Sequence, residues 1–60
     1  MDRIEKLNNA MKDRGHTQES LARELGVTMM TIFRWLHRKN TPKGLSIIAI
    51  DRWIEKNDYL

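Results

Sequence analysis

Thr17-Gln18-Glu19-Ser20-Leu21-Ala22-Arg23-Glu24-Leu25-Gly26-Val27-Thr28, continued by Met29-Met30-Thr31-Ile32-Phe33-Arg34-Trp35-Leu36, decides how this chain folds. Thr17 is a helix N-cap by residue type, since its hydroxyl can accept from the unpaired amides of a first turn. Leu21, Ala22 and Leu25 then face inward from a second helix, and Gly26 breaks it. Glycine takes a left-handed conformation without a Cβ penalty. Thr28 caps a third helix, in which Ile32, Trp35 and Leu36 share one side. Only three or four residues are left for the corner, so the two helices are expected to cross steeply. A steep crossing needs a small residue at the point of contact, which Ala22 supplies. It also needs apolar side chains around that point, supplied by Leu21, Leu25, Val27, Ile32 and Trp35.

Outward from this stretch the helical period continues. Ile4, Leu7 and Met11 fall at i, i+3 and i+7, and Asp2 with Glu5 forms a capping-box pattern. A first helix is therefore predicted over about 2–14, ending at Gly15. Lys39-Asn40-Thr41-Pro42-Lys43-Gly44 is punctuation, and a fourth helix is predicted over about 44–57. There is no internal repeat or low-complexity tract. The expectation is an all-α bundle in one domain covering residues 1–60, with the paired helices at about 17–37.

Sixty residues without cysteine set limits on everything else. A chain of this size buries only about 60% of the surface its unfolded form exposes, so a helical core or a partner subunit must stabilise it. Disulfides and thiolate metal sites are excluded. No apolar run approaches the roughly 20 residues of a membrane span, and the N-terminal Met1-Asp2-Arg3-Ile4 lacks the apolar segment of a signal peptide, so a soluble, cytoplasmic protein is expected. The net charge of +3 is unevenly placed: residues 1–27 balance five basic against five acidic side chains, whereas residues 28–44 hold Arg34, Arg38, Lys39 and Lys43 with no acid. A solvated surface is one reading of that stretch. An anionic partner is the other.

The third helix supports the second reading. On a wheel, Met30, Phe33, Arg34 and His37 lie opposite Ile32, Trp35 and Leu36, and that face carries no acid. An α-helix fits the ~12 Å major groove of DNA, and Arg34 can donate two hydrogen bonds to a guanine edge. Its alternative is a surface salt bridge to the second helix. Thioethers make no hydrogen bonds to bases but can touch thymine methyls. Met29 is open between core and groove, and Phe33 between a thymine methyl and packing against the fourth helix. Thr31 flanks the groove face. Arg38, Lys39, Asn40 and Lys43 follow it directly and form a backbone clamp as a group.

With these residues in hand, Thr17 through Thr28, together with Thr31-Ile32 and Trp35, resemble the helix-turn-helix of the phage-repressor and Cro-like (XRE-type) family. The similarity is close over residues 17–36 and looser through Pro42 and Leu45. It implies a lambda-repressor-like bundle of four helices, or five, with the third helix as recognition helix in the major groove of double-stranded DNA. It also implies a bacterial or phage-encoded regulator working at the nucleoid, about the size of a stand-alone Cro-like protein. Gln18 matches the family residue that hydrogen-bonds the DNA backbone, where the positive end of the helix dipole adds attraction. Thr17 and Thr28 cap, with phosphate contact as a second use. Met29 and Met30 stand where related repressors often carry glutamine, so the family's target sequence does not transfer.

The fourth helix has more large apolar residues than one core-facing stripe needs. Leu45, Ile48, Ala49 and Trp53 form one arc; Ile47, Ile50 and Ile54 form another nearly opposite. The expectation is that Ile47, Ile50 and Ile54, helped by Tyr59 and Leu60, make a homodimer interface, the alternative being a central helix covered on both faces. His16 and His37 are expected as exposed polar residues on separate elements, and no nucleophile relay, cofactor or metal site is expected. Neither is a small-molecule substrate. The reading is a sequence-specific transcriptional regulator, most simply a repressor. An excisionase-like DNA-bending accessory protein and a protein-interaction or antitoxin module are the alternatives. Direct repeats in a footprint mark the first, and a weak salt dependence marks the second.

Overall fold

Local chemistry sets most helix boundaries in the computed structural model, which describes residues 1–57. The order is α1 (Arg3–Asp13), α2 (Gln18–Leu25), α3 (Met29–Leu36) and α4 (Leu45–Asn57), with no strand among the described residues. Asp2 caps α1 by accepting the Glu5 amide at 2.9 Å. Thr17 caps α2 through a reciprocal pair, its hydroxyl accepting the Ser20 amide at 3.1 Å while its own amide donates to Ser20 Oγ at 2.9 Å. Thr28 caps α3 through the Thr31 amide at 3.2 Å. Each hydroxyl or carboxylate satisfies a backbone donor that the helix itself leaves unpaired.

The corner between α2 and α3 consists of Gly26, Val27 and Thr28. Gly26 sits at φ 73°, ψ 31°, and both its amide and that of Val27 donate to the Ala22 carbonyl. That left-handed residue closes the last turn of α2 and redirects the chain at once. Ala22 is buried at the contact, as the steric argument requires.

The four largest fully buried side chains are Leu7, Leu21, Ile32 and Ile50, one from each helix. Burying each stabilises the fold by about 1.5–3 kcal/mol relative to leaving it in water. Ala10, Met11, Ala22, Trp35 and Trp53 complete the core, with Ile4, Leu25, Val27, Leu36 and Ile54 packed against it. The two short dimensions of the molecule are both 21 Å, about two helix diameters, so one shared interior serves all four helices. α4 packs across α1 and α2, and α3 is held by α1 and α2.

Long-range contacts from Arg3 and Arg14 tie α1 to α4. Arg3 forms a two-pronged pair with Asp51, Nε to Oδ1 at 2.8 Å and Nη2 to Oδ2 at 3.2 Å. The hydrogen bonds from Arg3 hold the Asp51 carboxyl below its ordinary value. Arg14 donates to the carbonyl of Ile54 at 3.2 Å and stands 4.8 Å from the centre of the Trp53 ring. A cation there also complements the negative end of the α4 dipole.

The fourth helix corrects the sequence reading. Ile50 is wholly buried and Ile54 packs against the core, so these two do not form an outward interface. Trp53 is inward as expected, but Leu45 and Ile48 are exposed and Ala49 only half-buried. The inward arc is centred on Ile50 and takes in Trp53 and Ile54 at i+3 and i+4. α1 and α2 both press on α4, and the arc centred on Ile50 is the one they cover. Tyr59 and Leu60 lie outside the described residues. His16 is also not the exposed polar residue expected. It is half-buried, with Nδ1 3.0 Å from Ser20 Oγ and its ring edge-on to Trp53 at 5.4 Å.

Candidate nucleic-acid interface

α3 is fixed at both ends and held along one side, which leaves its other side free. Thr28 Oγ1 and Thr31 Oγ1 are 2.9 Å apart at the N-terminal end. At the other end the Arg38 amide donates to the Trp35 carbonyl at 3.1 Å and the Lys39 amide to the Arg34 carbonyl at 2.8 Å. This double closure needs a left-handed residue, and Arg38 occupies it at φ 58°, where glycine is the usual choice. Along the helix only Ile32 and Trp35 are buried, with Thr31 and Leu36 half-buried.

Met29, Met30, Phe33 and Arg34 project outward, followed by His37 at the cap. Met29, open between core and surface in the sequence, is 53% exposed. Phe33 lies with its ring 4.1 Å from that of His37, a partner the sequence reading did not weigh. Among the described residues Arg34 makes no ion pair, so the salt bridge to α2 is not formed and its guanidinium is available.

The expected phosphate-contacting residues fall in three places: the starts of α2 and α3, and the end of α3 with the loop that follows it. Thr17 and Gln18 sit at the start of α2, with the Thr17 hydroxyl committed to its cap and Gln18 half-buried beside it. Thr28 and Thr31 sit at the start of α3, each hydroxyl engaged with the other. Lys39, Asn40 and Lys43 are exposed on the loop after α3. Arg38 differs from its neighbours because its guanidinium reaches Asp2 at 3.0 Å, joining the end of α3 to the cap of α1. The Asp2 carboxyl is held below its ordinary value first by the Glu5 amide and further by Arg38. The partnership spans 36 positions of sequence, and no local pattern signals it.

Elsewhere the surface offers little chemistry. Among the described residues no group of three or more His, Asp or Glu side chains is placed to hold a metal ion, and no helix is long and apolar enough to cross a membrane.

A profile of the homeodomain-like domain matches residues 3–47, from α1 through the first turn of α4 and three quarters of the chain. No curated protein and no solved structure matches significantly. The profile is that of a helix-turn-helix fold, and it does not single out the Cro-like branch that the motif resembles. Its span includes the Gly26 corner and the whole outward face of α3, so the geometry and the match concern the same residues. The chain belongs to the homeodomain-like family of helix-turn-helix DNA-binding domains.

Proposed function

We propose that this protein is a sequence-specific regulator of transcription that lays α3 in the major groove of double-stranded DNA, most simply as a Cro-like repressor that blocks polymerase access. One observation carries the reading: the outward face of α3 is exposed, acid-free, and bears an Arg34 with no internal partner. In this arrangement Met29, Met30, Phe33, Arg34 and His37 meet base edges. Thr17, Gln18, Thr28, Thr31, Lys39, Asn40 and Lys43 line the flanking phosphates, with Arg38 joining them from its place beside Asp2.

The division of labour is testable by mutation. Arg34→Ala is expected to relax base preference at one position, at a cost of about 1–3 kcal/mol on the preferred duplex. Lys39→Ala is expected to weaken binding to all duplexes alike and to lower the slope of log affinity against log salt by about 0.9. Equal losses from both variants on preferred and random duplexes refute the role of Arg34.

The proposal includes a homodimer meeting two half-sites about 34–36 Å apart. With Ile50 and Ile54 committed to the core, α4 offers a second copy Leu45 and Ile48 instead, which are 82% and 47% exposed. Sedimentation showing only monomer at tens of micromolar, with and without duplex, removes the dimer from the reading.

A further inference from the structure

The outward face of α3 is chemically lopsided. It presents one hydrogen-bonding fork, Arg34, beside three exposed apolar side chains, Met29, Met30 and Phe33. A thioether and a phenyl ring cannot donate to or accept from the polar edges that dominate the major groove. The groove contains one apolar group able to match them, the C5-methyl of thymine.

We propose that α3 recognises thymine methyl groups, with Met29, Met30 and Phe33 as the contacting side chains and Arg34 as the single fork for a guanine between them. The inference rests on the major-groove reading above and names what that groove must contain. Met29 and Phe33 lie one turn apart, about 6 Å along the helix, close to two base-pair steps of 3.4 Å. The methyls therefore lie within a window of about three base pairs. The ring of Phe33 is already set against His37 at 4.1 Å, which reduces the side-chain freedom lost on contact.

Charge argues for DNA over a second protein chain as the occupant of this face. Residues 28–44 carry four cations and no acid. Two copies meeting face to face through Met29, Met30 and Phe33 would bring those cations together, whereas a duplex neutralises them.

The test begins with a pool of random 20-bp duplexes, from which the protein enriches its preferred sequence. That duplex is then remade with deoxyuridine at each thymidine in turn, which removes the methyl and leaves every hydrogen-bonding group in place. The expected result is a loss of about fourfold at each contacted position, the equivalent of ~0.8 kcal/mol for a methyl-sized apolar group. Met30→Ala, at an exposed position that folding does not need, is expected to bind the original duplex more weakly and to become insensitive to uridine at one of those positions. A selected duplex that binds equally well after every replacement overturns the inference while leaving the DNA-binding reading intact. Failure to enrich any sequence overturns both. Self-association abolished by Met29→Ser or Phe33→Ser also overturns it, because the face then belongs to a second copy.

Discussion

Arg38 occupies a left-handed backbone position, and replacing it with glycine should make the protein more stable while making it a poorer binder. A non-glycine residue at φ 58° carries a steric penalty of roughly 1–2 kcal/mol, which Arg38→Gly removes. Against this, glycine adds freedom to the unfolded chain, worth about 0.4–1 kcal/mol. The variant also loses the pair with Asp2, in which both side chains are more than half exposed, so water and salt screen most of it. The balance is a net gain of about 0.5–1 kcal/mol, and in a domain of this size about 1 kcal/mol moves the melting temperature by several degrees. Thermal unfolding followed by circular dichroism reads this directly. Arg38→Ala is the control, because it loses the guanidinium but keeps the Cβ, and it should melt below both wild type and Arg38→Gly. The proposed phosphate contact is missing from both variants, so each should lower the salt slope of DNA binding by about 0.9. If Arg38→Gly melts no higher than Arg38→Ala, the left-handed closure of α3 is wrong.

Two further outcomes check the rest of the structure. Ile50→Ala should cost about 2–5 kcal/mol, enough to unfold much of a domain this small, while Ile48→Ala should change stability by less than about 0.5 kcal/mol; urea titration of both variants decides which side of α4 is inward. Acid unfolding should begin only at low pH. The Asp2 and Asp51 carboxyls are both held below the usual 3.8 in the folded protein, so their stabilisation is complete above that value and disappears as pH falls through their lowered folded-state values. A transition between pH 5 and 7 would show that some other group controls it.

What the sequence made legible was local. Asp2, Thr17 and Thr28 cap because each lies three residues before the amide it binds, and Gly15 and Gly26 end helices because few other residues take a positive φ cheaply. The outward face of α3 followed from the helical period once Ile32 and Trp35 were placed inside. α4 was not legible in the same way. Both of its arcs are apolar, and a wheel does not say where the neighbouring helices lie. The left-handed conformation of Arg38 is not legible, because arginine carries no signal for such a turn. The pairing of Arg38 with Asp2, like Arg3 with Asp51 and Arg14 with the end of α4, joins residues dozens of positions apart. The half-buried place of His16 is not legible either, since one polar residue between helices gives no sign that Trp53 lies beside it.

The division of α3 between two buried residues and four exposed ones has a consequence for how such a protein changes over time. Ile32 and Trp35 secure the helix, so Met29, Met30, Phe33 and Arg34 can be exchanged with little effect on the interior. Address and chassis are thus separately mutable. On the proposed major-groove reading, a lineage, or a laboratory library confined to those four positions, moves this scaffold to new target duplexes without first having to repair it.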